Sequence, residues 1–257
     1  MRKKEAIQEK VRNVLRLGFS LAKANFKLRN EGSYLGIFWY LLEPLLLFLI
    51  LIAINPLFQG SLDSSYPLYL LLGLILFNFF SQTSIMSTDI IEANKFYIKS
   101  IKISYESLIL SSFLQNLFSH FFEIIIFLFL FLFYQQISFM IFSYIIVIAL
   151  LGSFTIGISM LLSTIGVYSS DFNNVWRVLI RLLWFITPIF YYVPKQYENL
   201  FLLNPLYCYI TLARKLMINN KFPSYTLWVF SLVYSLIFLF LGYYIFYKYK
   251  SKFAEYV

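Results

Sequence analysis

Three polar side chains, Asn116, His120 and Glu123, stand in an otherwise apolar stretch and recur at intervals of four and three residues. That spacing places them on one face of a helix, together with Ser112 and Ser119. A histidine and a carboxylate one helical turn apart can pass a proton between them. The same groups can instead line a wet channel or bond neighbouring helices, because in lipid each would cost several kcal/mol. The pattern leaves channel lining, interhelical bonding and a proton relay open.

Other reactive groups are scarce in this sequence. Glu43, directly before Pro44, lies in another apolar stretch, where we expect it to face a cavity or to be protonated. One histidine and one cysteine, Cys208, exclude an intrachain disulfide and a multi-thiolate metal site, and they argue against a Cys/His nucleophile pair. No Gly-x-x-x-x-Gly-Lys phosphate loop occurs, so this chain does not hydrolyse nucleotide by that route. We therefore expect no cofactor, no metal and no catalytic residue in this chain.

These polar groups must be positioned by membrane helices. Of the 257 residues 60% are hydrophobic and only 13% are charged, too few charges to cover a soluble domain of this size. Six segments are long enough to cross a hydrocarbon core, which takes about 20 apolar residues as helix. They are Leu35–Leu57, Pro67–Thr88, Ser107–Tyr134, Ser138–Val167, Trp176–Val193 and Ser224–Tyr247. We predict an all-α integral membrane protein with six transmembrane helices.

The distribution of basic residues predicts the topology. Nine basic residues precede the first span, three follow the second, Arg177 and Arg181 open the fifth, and three follow the sixth. Positive residues of a membrane protein stay in the cytoplasm. The segments predicted to lie outside hold only Lys195, Arg214, Lys215 and Lys221. Both termini are therefore predicted to be cytoplasmic. The net charge of +9 is explained by this topology and by contact with anionic membrane lipids, so we expect no nucleic acid as partner.

Residues 1–33 are predicted to form an amphipathic helix at the cytoplasmic membrane interface, and residues 34–257 the six-helix domain. The leader has no apolar core or cleavage site typical of a signal peptide. Its two faces separate at helical spacing, as in helices that lie in the membrane interface, although a merely solvated charged leader is the alternative. The apolar face holds Ile7, Val11, Val14, Leu15, Gly18 and Ala22, and the basic face Arg12, Arg16, Lys23 and Lys27.

Two segments between the predicted spans, one cytoplasmic and one outside, have compositions that differ from an ordinary loop. The cytoplasmic stretch 89–106 is short, basic and aromatic, and it either forms a short helix for a cytoplasmic partner or is an ordinary charged loop. Outside, Thr187-Pro188 interrupts the fifth span, and the apolar stretch 194–223 is broken again at Asn204-Pro205. We predict a pair of short re-entrant or interfacial helices between the fifth and sixth spans, with one further irregular span as the alternative.

The fourth span shows a stripe of small residues. A stripe of this kind permits close packing of helices in a membrane, and we favour that structural interpretation. Its members are Gly152, Thr155, Ser159, Ser163 and Gly166.

Several motifs occur together in the order seen in one transporter family. Arg29, Ser33, Leu35-Gly36, Trp39 and Glu43-Pro44 resemble the opening of the first span in ABC-2-type permeases that export bacterial O antigen, capsule or teichoic acid. Further matches are Asp171, Trp184-Phe185-x-Thr187-Pro188-Ile189 and Asn204-Pro205. The resemblance covers essentially the whole chain. It departs at Ser170-Asp171, where many relatives have Arg-Asp, so an ion pair built on that arginine is in doubt.

The resemblance implies a homodimer in the bacterial cytoplasmic membrane. Each copy would engage a separate cytoplasmic ATPase that binds ATP and Mg, and a lipid-linked or lipid-anchored polysaccharide would pass between the two copies. The leader and residues 89–106 would contact the ATPase, through Arg12, Arg16, Lys23, Lys27, Arg29, Glu92, Lys95 and Lys99. Since sugar faces stack on aromatic rings, the channel candidates are Trp39, Tyr40, Glu43, Asn116, His120, Glu123, Trp184, Tyr191 and Tyr192.

Three other functions are alternatives to this interpretation. An ion-coupled secondary transporter could use Glu43, Asp89, His120 and Glu123, but the two halves of the chain show no inverted repeat or paired broken helices. A membrane-embedded transferase would need a catalytic cluster at one membrane face, which the sequence lacks. An ABC-2 exporter of a drug or small lipid remains open, because a shared fold does not determine the cargo.

Overall fold

The computed structural model describes residues 2–31, 38–59, 64–101, 103–134, 139–169 and 171–256, and all regular elements in these ranges are helical. The α-helices are α1 (Arg2–Asn30), α2 (Phe38–Gln59), α3 (Tyr66–Ala93), α4 (Lys95–Ile101), α5 (Tyr105–Tyr134), α6 (Tyr144–Tyr168), α7 (Phe172–Ile186), α8 (Glu198–Phe201), α9 (Pro205–Met217), α10 (Tyr225–Tyr249) and α11 (Phe253–Tyr256). Short 3-10 turns precede α6, α8 and α11. The predicted all-helical class is confirmed.

Four helical stretches in the described ranges are long and apolar enough to cross a membrane. They are Tyr66–Ala93, Tyr105–Tyr134, Met140–Tyr168 and Tyr225–Tyr256, which correspond to the predicted second, third, fourth and sixth spans. In α2, the described apolar helix of the first span covers Pro44–Ile54. The count of six spans therefore stays a prediction.

The predicted fifth span, Trp176–Val193, is not one continuous helix. Its helix, α7, ends at Ile186, and Thr187 is extended with φ −83° and ψ 129°. Pro188 explains this end, because proline has no N–H to donate and pushes the residue before it out of the helical region. The Tyr191 hydroxyl instead donates to the carbonyls of Phe185 and Ile186, at 3.2 and 3.1 Å.

Helix α3 is the centre of the bundle and is buried along most of its length, in contact with α2, α5, α6, α7 and α9. A helix that is apolar on all sides is buried, and the run from Leu68 to Phe77 has that character. Segment α7 lies antiparallel to α3. The Trp176 indole donates to Ser84 Oγ at 3.0 Å near one end, and Tyr66 donates to the Phe190 carbonyl at 2.8 Å near the other.

The small residues of the fourth span allow the close packing that the sequence predicted. A Cβ on Gly166 would collide with the carbonyl of Thr88 on α3. Gly157 in the same helix lies against Gly242 of α10, where a Cβ on either residue would collide with backbone. Since backbone cannot move aside as a flexible side chain can, glycine is required at these crossings.

The outer stretch 194–223 forms two helices separated at the predicted break. Asn204 caps α9 by accepting hydrogen bonds from the backbone N–H groups of Leu206 and Tyr207, at 3.0 and 3.4 Å, and Pro205 occupies the first turn. Helix α9 is buried against α3, α6 and α10. Its insertion at membrane depth stays a prediction.

Candidate functional site

One end of the bundle gathers the segments that the charge pattern placed in the cytoplasm. A compact apolar cluster joins residues from α1, α3, α4, α5, α6, α10 and α11 there. Its buried members are Ile90, Ile91, Ile103, Leu108, Ile109, Phe246 and Phe253, with Leu17, Leu21 and Ile98 packed against them. The leader helix, the short helix after α3 and the C-terminal helix therefore meet at a single end of the bundle.

Helix α1 packs against α5 through a narrower face than the sequence predicted. Gly18 and Ala22 are buried, and the Phe19 ring meets the Phe118 ring edge-on with centroids 5.9 Å apart. Val11 and Leu15, predicted on the apolar face, are 53% and 55% exposed, because the contact with α5 covers only the Gly18–Ala22 side. The position of α1 relative to a membrane interface stays a prediction.

The charged residues predicted to meet an ATPase, all basic except Glu92, are exposed at this end. This holds for Arg12, Arg16, Lys23, Lys27, Glu92, Lys95 and Lys99. Lys27 forms an ion pair at 3.4 Å with Glu31, which directly follows the last residue of α1. The side chain of Arg29 lies outside the described part of the structure. The predicted short helix within residues 89–106 is present as α4, while α3 itself continues to Ala93.

The polar stripe of α5 is buried inside the bundle. Asn78 of α3 donates from Nδ2 to Glu123 Oε1 at 2.5 Å, and His120 Nε2 bonds the Tyr144 hydroxyl of α6 at 2.5 Å. His120 Nδ1 lies 3.4 Å from Glu123 Oε2. Asn116 donates to the Met86 sulfur at 3.2 Å. Asn116, His120 and Glu123 are only 3–4% exposed.

This arrangement favours interhelical bonding among the three interpretations of the stripe. Tyr144, His120, Glu123 and Asn78 form a contiguous chain of contacts that is buried at His120 and Glu123 and half-buried at its two ends. The chain ends at an amide, which does not exchange protons as histidine and carboxylates do. A role for these residues in a channel stays a prediction. The chain also binds α3, α5 and α6 into one unit, since every bond in it except the His120–Glu123 contact crosses between helices.

A cleft of about 230 Å³ lies between α2, α3 and α7. The predicted channel residue Trp184 lines it, and Pro44, next to the predicted Glu43, lines it from α2. The remaining lining residues are Leu47, Leu74, Phe77, Asn78, Ser81, Ile180, Arg181 and Phe185. Trp39, Tyr40 and Glu43 belong to α2, but their side chains lie outside the described part of the structure, as do Ser33, Leu35, Gly36 and Ser170.

Aromatic residues cluster at the opposite end of α3 from the basic surface. The rings of Tyr69 and Tyr192 are 4.5 Å apart, and the Tyr69 hydroxyl donates to the Tyr191 carbonyl at 3.1 Å. Trp184 stacks on Phe190 with centroids 5.1 Å apart. The structure therefore brings Trp184, Tyr191 and Tyr192 into one region, whereas Asn116, His120 and Glu123 are buried in the interior of the bundle.

Beneath this aromatic cluster lies Arg214, which was predicted only as a positive charge on the outer side. Its guanidinium is 4% exposed and donates to the carbonyls of Tyr69, Pro188 and Ile189, at 3.1, 2.7 and 2.7 Å. It also stacks on the Tyr69 ring, with Cζ 3.4 Å from the centroid. Arg214 thus ties α9 to α3 and to the chain segment that leaves α7.

Asn78, Ser81 and Arg181 line the cleft but were not predicted as site residues. Asn78 had a signal, because it interrupts the apolar run of α3. Arg181 had been grouped with the cytoplasmic charges at the start of the fifth span. Helix α7 begins at Phe172, so Arg181 stands about two and a half turns inside it, beside the middle of α3.

Comparison with known proteins identifies homologues over most of the chain. The polysialic acid transport protein KpsM of Escherichia coli is 28% identical over 218 residues, covering 81% of this chain and 83% of the relative. The O-antigen export system permease protein RfbA of Klebsiella pneumoniae is 28% identical over 244 residues, covering 91% and 92%. RfbA of Myxococcus xanthus is 21% identical over 211 residues, covering 80% and 81%. No family model matches the chain.

These relatives confirm the resemblance to the permeases of polysaccharide exporters that the motifs indicated. The homology and the apolar helices together support a multi-pass protein of the inner membrane.

Proposed function

We propose that this homologue of the polysaccharide-export permeases is the membrane subunit of an ATP-driven exporter in the bacterial cytoplasmic membrane. It works as a homodimer, with each copy bound to a separate cytoplasmic ATPase, and both termini lie in the cytoplasm. The cargo is a lipid-linked or lipid-anchored cell-surface polysaccharide such as O antigen, capsule or teichoic acid. The names of the relatives state what they transport, which is polysialic acid for KpsM and O antigen for RfbA.

The observation that carries the proposal is the shared location of α1 and α4. Both helices pack on one apolar cluster at one end of the bundle and leave Arg12, Arg16, Lys95 and Lys99 exposed there. Because the chain has no nucleotide-binding loop, ATP hydrolysis must be supplied by a partner protein. The basic surface at one end of the bundle offers that partner a place to bind. Steering by charge favours a partner with an acidic face.

The path of the cargo is proposed to follow α2 and α7. These helices line the cleft next to α3. Trp184 lines the cleft and also belongs to the aromatic cluster that contains Tyr69 and Tyr192. When ATP closes the two ATPases, α1 and α4 are pushed, and the first and fifth segments of the two copies separate or tilt. The outer stretch with α9 closes the exit at rest, tied to α3 through Arg214.

The test is co-purification of this chain in mild detergent from its native organism, with mass spectrometry to identify an ATPase that accompanies it. We expect a stoichiometric complex, and we expect the paired substitution Arg12→Glu and Arg16→Glu to remove the ATPase while the permease remains in the membrane. The matched control reverses Lys195 and Lys221, which are exposed in the outer stretch, and should retain the complex.

Transport in liposomes then separates this function from its alternative. Export of glycan that requires ATP and both subunits is the expected result. A permease that purifies alone and moves a solute on an ion gradient would overturn the proposal in favour of a secondary transporter.

A further inference from the structure

We propose that the C-terminal segment, residues 250–256, transmits the movement of α4 to α10. Phe253 and the ion pair between Lys250 and Glu106 are the positioning residues of this link. The proposal rests on the proposed function, in which a bound ATPase pushes α4. Residues 250–256 are called the C-terminal clasp below.

The clasp continues α10 directly. Helix α10 ends at Tyr249, and the clasp consists of the 3-10 turn Lys250–Lys252 and the short helix α11, Phe253–Tyr256. Helix α4 ends at Ile101, and α5 begins at Tyr105 after only three intervening residues. A contact between the clasp and the start of α5 therefore connects the end of α10 to the end of α4.

The first such contact is made by the Phe253 ring, which is completely buried. It meets the ring of Tyr105, the first residue of α5, edge-on with centroids 5.3 Å apart. On its other side it meets the Phe246 ring of α10 at 5.6 Å. The same apolar cluster includes Ile103, and Ile98 of α4 packs against it. Phe253 therefore supports the junction of α4 and α5.

The second contact is the ion pair between Lys250 and Glu106, the residue after Tyr105. Lys250 donates to Glu106 Oε1, and the carboxylate is only 7% exposed. The ammonium group also lies 5.4 and 6.0 Å from the ring centroids of Tyr247 and Tyr105, within the range of a cation–π interaction. Since separating the pair would leave a buried carboxylate without its cation, the clasp resists displacement from α5.

A third contact joins the clasp to α6. The Tyr256 ring meets the ring of Tyr168, the last residue of α6, with centroids 4.7 Å apart. Tyr249, at the end of α10, meets the same ring at 6.2 Å. The clasp therefore contacts the start of α5 and the end of α6 together.

The packing of α5 and α10 shows what the clasp adds. Among the described residues, α10 packs mainly on α6 and α9, whereas α5 packs mainly on α1 and α3. The two helices meet at the end of the bundle where α4 lies, through the apolar cluster and the clasp. Coupling between distant parts of a protein is carried by packed side chains and ion pairs of this kind. A push on α4 thus moves α5 and, through the clasp, α10.

Hydrogen exchange of the purified full chain in detergent tests the link without an ATPase. We expect Phe253→Ala to speed exchange in α4 and the first two turns of α5 about tenfold or more, because the packing beneath them is lost. Lys250→Met leaves Phe253 in place and should act in the same direction. Exchange in α9 should stay at the wild-type rate, which distinguishes local opening from unfolding of the whole chain.

Two substitutions serve as matched controls for the exchange measurement. Lys252→Met lies in the same 3-10 turn as Lys250 but at an exposed position. Phe240→Ala removes a phenylalanine of α10 that is 69% exposed. Both should leave exchange in α4 within about twofold of the wild-type rate, since neither side chain is buried.

The functional half of the proposal is tested by glycan exported per ATP hydrolysed, measured with the ATPase in liposomes. Lys250→Glu and Glu106→Lys should each lower this ratio about threefold or more while the ATPase stays bound. Reversing the pair in the double variant should recover part of the ratio. Recovery is incomplete because a lysine in the first turn of α5 is opposed by the helix dipole. Loss of folded protein alone would lower both rates and leave their ratio unchanged.

The proposal is overturned if neither Phe253→Ala nor Lys250→Met changes exchange in α4. It is also overturned if the double variant exports no more per ATP than the single variants, or if a chain ending at Tyr249 keeps the wild-type ratio. In that last case the proposed function stands. If exchange responds as expected but the wild-type chain binds no ATPase, the proposed function fails and the contact between the clasp and α4 stands.

Discussion

Gly73 leaves the space that the guanidinium of Arg214 occupies. A Cβ on residue 73 would collide with Nη2 of Arg214 and lie 3.3 Å from the Ile189 carbonyl oxygen. The absence of one side chain on α3 therefore permits an arginine from α9 to reach three carbonyls on two other segments. These contacts join the outer stretch to the central helix.

The first prediction is that Arg214→Ala lowers the free energy of unfolding by about 3 kcal/mol or more, because three buried carbonyls lose a charged donor. Gly73→Ala should also destabilise the protein. The double variant should lose less than the two single losses combined, since the collision disappears once Arg214 is truncated. Thermal unfolding in detergent measures all three, with exposed Lys221→Ala as the control. Strictly additive losses would contradict the contact.

The second prediction concerns the partly buried hydrogen bond between Asn78 and Glu123. Glu123→Leu removes the acceptor for the Asn78 amide and should cost about 2 kcal/mol of stability. Glu123→Gln keeps a carbonyl oxygen for that amide and should cost less. Phe121→Leu, at a position 61% exposed on the same helix, serves as the control. If Leu and Gln at position 123 are equally stable in thermal unfolding, the bond carries no stabilisation.

The third prediction tests the packing of the leader helix. A Cβ on Gly18 would lie 2.9 Å from Leu110 Cδ2, so a branched side chain there should push α1 away from α5. Gly18→Val should reduce export while the protein still reaches the membrane, and adding Leu110→Ala should restore it. The readout is surface glycan per inserted permease.

The control for the leader substitution is Ser20→Val, at an exposed position two residues away, which should export normally. Failure of Leu110→Ala to restore any export would mean that the contact between Gly18 and Leu110 does not explain the loss.

The fourth prediction compares two glycines of α6. Gly166→Ala should sharply lower the yield of folded protein, because the new Cβ meets the Thr88 carbonyl and backbone cannot yield. Gly152→Ala should be tolerated, since its nearest neighbour is the edge of the Phe113 ring at 3.1 Å, a side chain that can shift. Detergent-extracted monodisperse protein is the measure. Equal yields would show that α3 and α6 can separate without loss.

The membrane class of this protein could be predicted from its sequence alone. Whether a segment can cross a membrane depends on how apolar and how free of charge its side chains are, which is a local property of the sequence. This property was sufficient to predict the four confirmed helices, which contain Asn78, Glu123, Gly166 and Phe246. The break at Asn204-Pro205 was equally predictable, because a proline and a capping side chain act within a few residues. The motif order gave the family resemblance, which the homologues confirm.

The partners of the polar residues were decided only by tertiary structure. Helical spacing placed Asn116, His120 and Glu123 on one face of a helix. It did not show whether these residues line a channel or form bonds to other helices. The fold provides the bonding partners, which are Met86, Tyr144 and Asn78. The two arginines, Arg181 and Arg214, make the same point. From the sequence, both arginines were interpreted only as markers of membrane topology. Counting positive charges does not show which helix packs against each of them. Packing of α9 against α3 buries Arg214 beside three carbonyls, whereas Arg181 stays exposed at the edge of a cleft. The surroundings of a charged side chain are determined by its long-range neighbours and not by local spacing.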